Sequence, residues 1–185
     1  MSKRFVIAAA LFVLAGMGRT AEAAPILGGQ LFYTGGTVTV ESLPVTSGFT
    51  TELGLYDSGL NRLLYIMDDE PAGVTVTFNP SAHGIGVGQE LIFGIRIVIP
   101  DTNEELFMGP ASRNFDNTMH ATVDDMGLGV FIVGFEDIPG GGDRDFDDNV
   151  FKFTGGVSAV PEPATFALLG LGVLAAARRR MNRSK

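Results

Sequence analysis

The sequence predicts an all-β protein: an antiparallel β-sandwich, jelly-roll-like or Ig-like, with a single C-terminal membrane helix behind it. Three observations predict it. About nine or ten short runs of β-branched and aromatic residues recur along the middle of the 185-residue chain, divided by turns that draw on its 25 glycines. No stretch in that middle shows the spacing of an amphipathic helix. No repeat of fixed period runs through it, which argues against a solenoid or a propeller.

In chain order, residues 1–23 read as a secretory signal. Lys3 and Arg4 form a basic start, Phe5–Met17 an apolar stretch too short for a comfortable membrane span, and Ala21-Glu22-Ala23 an A-x-A cleavage site. Cleavage after Ala23 places Pro25 second in the mature chain. The body, 24–159, is expected to form one domain.

Leu31-Phe32-Tyr33 is a short apolar patch between glycine pairs. Thr37–Leu43 nearly alternates and reads as a strand, ended by Pro44–Gly48. Phe49–Tyr56 and Arg62–Met67 flank an Asp57-Ser58-Gly59 turn as a hairpin-like pair. Asp68-Asp69-Glu70 before Pro71 reads as a charged turn, and Gly73–Phe78 as an alternating strand. After a glycine-rich loop, Glu90–Ile99 is the most hydrophobic internal run and is expected at the centre of a sheet. Arg96 within it must lie on an exposed face or meet a carboxylate. Leu106–Met108 reads as a short strand, Thr118–Val123 as a weak one with Asp124-Asp125 after it, and Gly127–Phe135 as a strong one. Val150–Phe153 is the last strand, and Gly155–Ala159 looks like a linker.

Between the last two strong strands lies the densest chemistry. Glu136, Asp137, Asp143, Asp145, Asp147 and Asp148 are six carboxylates split by Pro139-Gly140-Gly141-Gly142. Like charges at 4 Å repel by about 1 kcal/mol per pair even in water. A hard cation with oxygen ligands relieves that repulsion, and Ca²⁺ accepts six to eight such ligands at variable angles. Asp143-x-Asp145-x-Asp147 has the opening spacing of an EF-hand loop, but Asp148 stands where that loop needs Gly and Thr154 where it needs Glu. The flanks are strands, so a structural calcium loop between strands is the expectation. Glu136 and Asp137 can return ligands across the glycine turn, with Phe146 pointing inward as an anchor and Val150, Phe151 and Phe153 closing the core. The competing reading is a solvated hairpin loop neutralised by Arg144 and backbone amides.

The same stretch, Gly134–Phe151, resembles the closing signature of the bacterial domain of unknown function 4114, typically GFEDxxGGGDxDFNDxVF. GLYD at Gly54–Asp57 and the Phe-Gly pair within Phe93–Ile97 are weaker echoes, so the likeness extends over Phe49–Phe153. Asp147 replaces the usual Asn and Asn149 an apolar residue. The resemblance implies a β-rich extracellular module with an aspartate-rich, calcium-binding loop. It makes Asp143, Asp145 and Asp148 the best-matched ligands, with Glu136 and Asp137 next, while Asp147 keeps an oxygen donor where the signature has Asn.

The end of the chain, 160–185, contains Pro161-Glu162-Pro163, an apolar run at 164–177 and Arg178-Arg179-Arg180. As a helix the run spans about 21 Å, short of a hydrocarbon core of about 30 Å. The Arg cluster keeps to the cytoplasmic side. This segment resembles a PEP-CTERM sorting signal. The resemblance implies recognition of Pro161, Glu162 and Pro163 by exosortase, a membrane-embedded cysteine protease of Gram-negative bacteria that make exopolysaccharide. It places the chain across the inner membrane, transiently anchored there, then at the cell surface or in the matrix.

Charge narrows the partners. The chain carries −8 overall, but both ends are basic and the middle, 24–160, carries −14. Such a body repels nucleic acid and anionic lipid. With no Cys there is no disulfide, thiolate metal site or Cys nucleophile. A zinc site would need His83 and His120 to converge with a carboxylate. No G-x-S-x-G or phosphate-binding loop occurs. The expectation is a non-enzymatic, structural or adhesive surface protein touching exopolysaccharide or a surface protein. The alternatives are a polysaccharide-acting hydrolase with two carboxylates across a cleft, and a protein-binding adhesin module. The chain has no Trp for sugar stacking, only Tyr33, Tyr56 and Tyr65.

Overall fold

The computed structural model describes residues 24–45, 48–98 and 104–159. The signal segment, the sorting segment with Pro161–Pro163 and Arg178–Arg180, and the expected membrane helix at 164–177 lie outside the described residues. Among the described residues no helix is long and apolar enough to cross a membrane.

Among the described residues twelve strands follow one another: β1 Ile26–Leu27, β2 Leu31–Tyr33, β3 Val38–Ser42, β4 Thr51–Tyr56, β5 Arg62–Asp68, β6 Thr75–Phe78, β7 Glu90–Ile97, β8 Glu105–Phe107, β9 Ala121–Gly127, β10 Val130–Phe135, β11 Asn149–Thr154 and β12 Val157–Ser158. Two short 3-10 turns, Pro80–His83 and Ala111–Arg113, are the only helical pieces among the described residues. Every pairing is antiparallel. One six-stranded sheet runs β1-β9-β10-β11-β3-β6, the other β12-β2-β7-β4-β5 with β8 also on β7.

Alternation sets the faces. In β3 and β11 every second residue is buried, which leaves Val38, Val40, Phe151 and Phe153 inside and Thr39, Glu41 and Lys152 outward. Lys152 and Glu41, facing each other across the two strands, form an ion pair on the outer surface. The inner faces of both sheets share one apolar cluster, and Phe93 of β7 meets Phe153 of β11 at 4.5 Å between ring centroids. The fold is thus sandwich-like.

β7 is central, as its hydrophobicity predicts. β4 lines one edge over its whole length, while β2 and β8 share the other. It is buried on both faces because Tyr56, Ile92 and Phe107 form a second small cluster, with Tyr56 and Phe107 edge to face at 4.9 Å. Arg96 meets a carboxylate: Glu52 on the neighbouring strand, at 2.6 Å.

Several local expectations change. Leu31–Tyr33 is a strand, not merely an apolar patch. Asp124 and Asp125 lie within β9, which runs on to Gly127 before a hairpin turn to β10. Gly155–Ala159 is more than a linker, because Val157 and Ser158 pair with Tyr33 and Phe32. Phe146 is only half-buried and stands apart from the apolar cluster, and Val150 faces partly outward. Their neighbours Phe151 and Phe153 take the inward positions because the strand period is two.

Candidate metal centre

The acidic loop leaves β10 at Phe135 and returns into β11 at Asn149. Its first residue is clamped from two sides. The Glu136 amide donates to the His120 carbonyl at 2.9 Å, and His120 Nδ1 donates to the Glu136 carbonyl at 3.0 Å. His120 Nε2 lies within hydrogen-bonding distance of Asp116 Oδ2, at 2.8 Å. Asp116 also accepts the Gly140 and Thr118 amides, at 2.7 and 3.0 Å. Burial opposes its ionisation, but the Gly140 amide, His120 and the Thr118 amide outweigh that and hold its carboxyl below the ordinary range. The pair therefore stitches the glycine turn of the acidic loop to the 109–118 loop. Sequence reasoning considered His120 only as a remote zinc ligand; nothing in its local sequence marks it as the staple.

Two glycines let the loop fold back. The Phe146 carbonyl lies where a Cβ on Gly134 would stand, 2.2 Å away, so the returning backbone rests directly on β10. Gly142 is left-handed at φ +38°, and a Cβ there would lie 2.0 Å from Glu136 Oε1. Arg144 and Phe146 are also left-handed, at φ +65° and +58°. Each costs about 1 kcal/mol or more for a residue with a side chain. This winding leaves Asp143 and Asp145 facing back toward Glu136.

Glu136, Asp143 and Asp145 each bring a carboxylate oxygen within 4.8 Å of the others. Glu136 is fully buried, and the two aspartates are exposed. Glu136 Oε2 accepts the Arg144 amide at 2.9 Å, but the buried Oε1 accepts no hydrogen bond. Burial raises the Glu136 carboxyl to about 7, helped by the neighbouring Asp148 carboxyl and the charge of Asp143, against the Arg144 amide. The Asp147 amide pulls the Asp145 carboxyl down, but partial desolvation and the charges of Asp143 and Asp147 lift it overall. Among the described residues, no ion pair reaches Glu136, Asp143 or Asp145. A buried carboxylate with one orphaned oxygen, gathered with two further carboxylates, is the donor set a hard cation takes.

The other expected ligands do different work. Asp148 sits beside Glu136 and accepts the Asp137 amide at 3.2 Å. Asp147 is exposed and donates its amide to Asp145 at 3.3 Å. Asp137, only 2% exposed, turns inward and accepts Asn149 Nδ2 at 3.3 Å. Asn149 in turn accepts the Thr51 hydroxyl, and the Thr51 amide donates to Asp69 at 3.0 Å. This buried chain ties the acidic loop to β4 in the opposite sheet. Asp69, read from sequence as part of a charged turn, is 1% exposed, and burial pushes its carboxyl up against the pull of amide hydrogen bonds.

Asn149→Leu tests that chain. It keeps the size of the side chain but removes the amide that donates to Asp137 and accepts from Thr51 in a buried setting. We expect a loss of about 1–3 kcal/mol, read as a lower urea midpoint of segment 24–159. An unchanged or higher midpoint would show the chain of bonds to be dispensable.

Residues 75–156 match the family model described as Domain of unknown function (DUF4114), and residues 159–180 match that of the PEP-CTERM protein-sorting motif. The first match takes in the whole acidic loop but begins at β6, so Gly54–Asp57 lies outside it. The second carries the Pro-Glu-Pro motif and implies an exported chain processed by exosortase. No curated protein and no solved structure matches the chain.

Proposed function

We propose that this chain, with its DUF4114 domain ahead of a PEP-CTERM sorting motif, is a non-enzymatic protein of the cell surface or exopolysaccharide matrix, and that calcium bound by Glu136, Asp143 and Asp145 rigidifies its acidic loop. The observation that carries the metal reading is the buried Glu136, whose Oε1 has no donor and whose carboxylate comes within 4.8 Å of those of Asp143 and Asp145. Burying an unpaired carboxylate is costly, and a cation offsets that cost together with the repulsion around it. Asp148, beside Glu136, would join as a fourth carboxylate. The left-handed residues Arg144 and Phe146 are the local strain that ion binding would hold in place.

A non-enzymatic role fits the state of the other carboxylates. The cleft lined by Tyr56, Asp57, Gln89 and Glu90 brings two acids to one end of the sandwich. Asp57 is held ionised by the Asn61 and Gly59 amides of its own turn. Glu90 is gripped by both terminal nitrogens of Arg113, at 3.0 and 2.9 Å. Both acids are thus already engaged by partners within the fold.

The test is a thermal melt of segment 24–159 with calcium and with chelator, beside Asp143→Asn/Asp145→Asn. We expect calcium to raise the melting temperature of the parent and leave the double variant unmoved. No calcium response in the parent would reject the metal reading.

A further inference from the structure

We propose that β12 masks the sorting motif, and that exosortase processes the chain only when this strand peels away from β2. The inference rests on the exosortase reading of the motif and adds a control built into the fold.

The spacing carries it. The sorting-motif match begins at Ala159, one residue after β12 ends, and Pro161 follows two residues later. Val157 is 7% exposed within the apolar cluster shared by both sheets, and Ala159 packs against that cluster. Val157 and Ser158 pair with Tyr33 and Phe32, and the Thr34 amide donates to the Gly156 carbonyl at 2.9 Å. The chain is therefore still part of the fold at Ala159, which leaves Pro161 within about 7 Å of it. The apolar run begins at Ala164, five residues on, or about 18 Å at full extension. A domain the size of 24–159 has a radius of gyration of about 14 Å, so its bulk crowds both the Pro-Glu-Pro motif and the start of the apolar run. A protease draws in an extended stretch of chain free of folded structure. With β12 in place, only Val160 separates Ala159 from the motif.

β12 is also an element that can leave without breaking the sandwich. It is two residues long and forms the edge of its sheet beside β2. β2 stays paired with β7 when β12 departs. Gly155 and Gly156, both at positive φ, form the turn about which it would swing. Peeling back to that turn frees Val157–Val160 and lets Pro161 stand about 17 Å from the fold. Short edge elements open far more often than whole domains, and cleavage of such a segment follows the population of the open form. Burial of the Val157 side chain is the main force against opening.

The test follows removal of the tail from the full chain in membranes that contain exosortase, read as a drop in mass on a denaturing gel. The parent is compared with Val157→Ala, with Val40→Ala, and with a chain carrying about eight Gly/Ser residues between Ala159 and Val160, enough to add about 27 Å of reach. We expect Val157→Ala to be processed about fivefold faster or more, because it loses two methyl groups whose burial holds β12 down. Val40→Ala loses the same two methyl groups from the buried face of β3, so it weakens the core without freeing β12 and should keep the parent rate. The spacer chain should outpace the parent, and Val157→Ala added to it should bring no further gain. Equal rates for parent and spacer chains, a Val157→Ala no faster than the parent, or a Val40→Ala accelerated as much as Val157→Ala would each overturn this inference and leave the exosortase reading standing. If no chain is processed, the spacer chain included, both fall.

Discussion

In chelator, segment 24–159 is expected to lose melting temperature as pH rises from about 5 to about 8, and calcium is expected to reverse the loss. The group responsible is Glu136. Its carboxyl titrates near 7 in the fold against 4.5 for the ordinary group, so the folded chain keeps a proton that the unfolded chain has released. The stability this lends is complete below the unfolded value and disappears as pH passes the folded one. Calcium replaces the proton, so its affinity should climb over the same range. At a hundredfold excess over its dissociation constant the ion adds about 2.7 kcal/mol, or about 8–10 °C for a domain of this size. Glu136→Gln separates the causes. It keeps the shape of the neutral acid, so it should melt at or above the parent at high pH in chelator, with a shallower pH profile than the parent. It should gain nothing from calcium. A flat profile in the parent, or a calcium response in Glu136→Gln, would remove Glu136 from the site.

Phe93→Ala is expected to cost about 3–5 kcal/mol, as for other buried Phe truncations, and to lower the melting temperature by about 10 °C or more. Phe93 is fully buried at the middle of β7, which has three partner strands, and its ring meets Phe153 from the opposite sheet. Truncation opens a cavity between the two sheets. Neither side can close it, because β7 is held along both edges by β2, β4 and β8. Calcium should still raise the melting temperature of this variant, since the acidic loop lies beyond the end of β10. A loss below about 1 kcal/mol, measured by urea denaturation, would place the core elsewhere.

Much of this was legible along the chain. The alternation of Thr37–Leu43 and the long apolar run of Glu90–Ile99 correspond to β3 and to the central β7, because burial on one face or on both leaves a periodic trace. Arg96 advertised a need for a partner, though not that the partner would be Glu52. Of the six carboxylates in the loop, local spacing could not sort those that converge from those that do not. Asp137 is adjacent to Glu136, yet successive residues project to different sides, and it joins Asn149 and Thr51 instead. His120 and Asp116, which hold the loop tip, precede it by a hairpin and carry no local signal.

The sequence by itself determined the all-β class, the antiparallel strands with their inward faces, the position of the acidic loop and the sorting motif at the C-terminal end. Each is written in periodicity or in a contiguous motif, and short-range stereochemistry reads it directly. Only the tertiary structure decided which carboxylates meet. It buried Glu136 without a donor for Oε1, turned Asp143 and Asp145 toward it, and spent Asp137 on a link to the other sheet. Those outcomes depend on β9, β10 and β11 lying side by side and on the loop backbone resting on Gly134. Burial and the distance between charges, which set whether a carboxylate is a ligand or a strut, are properties of the packed chain.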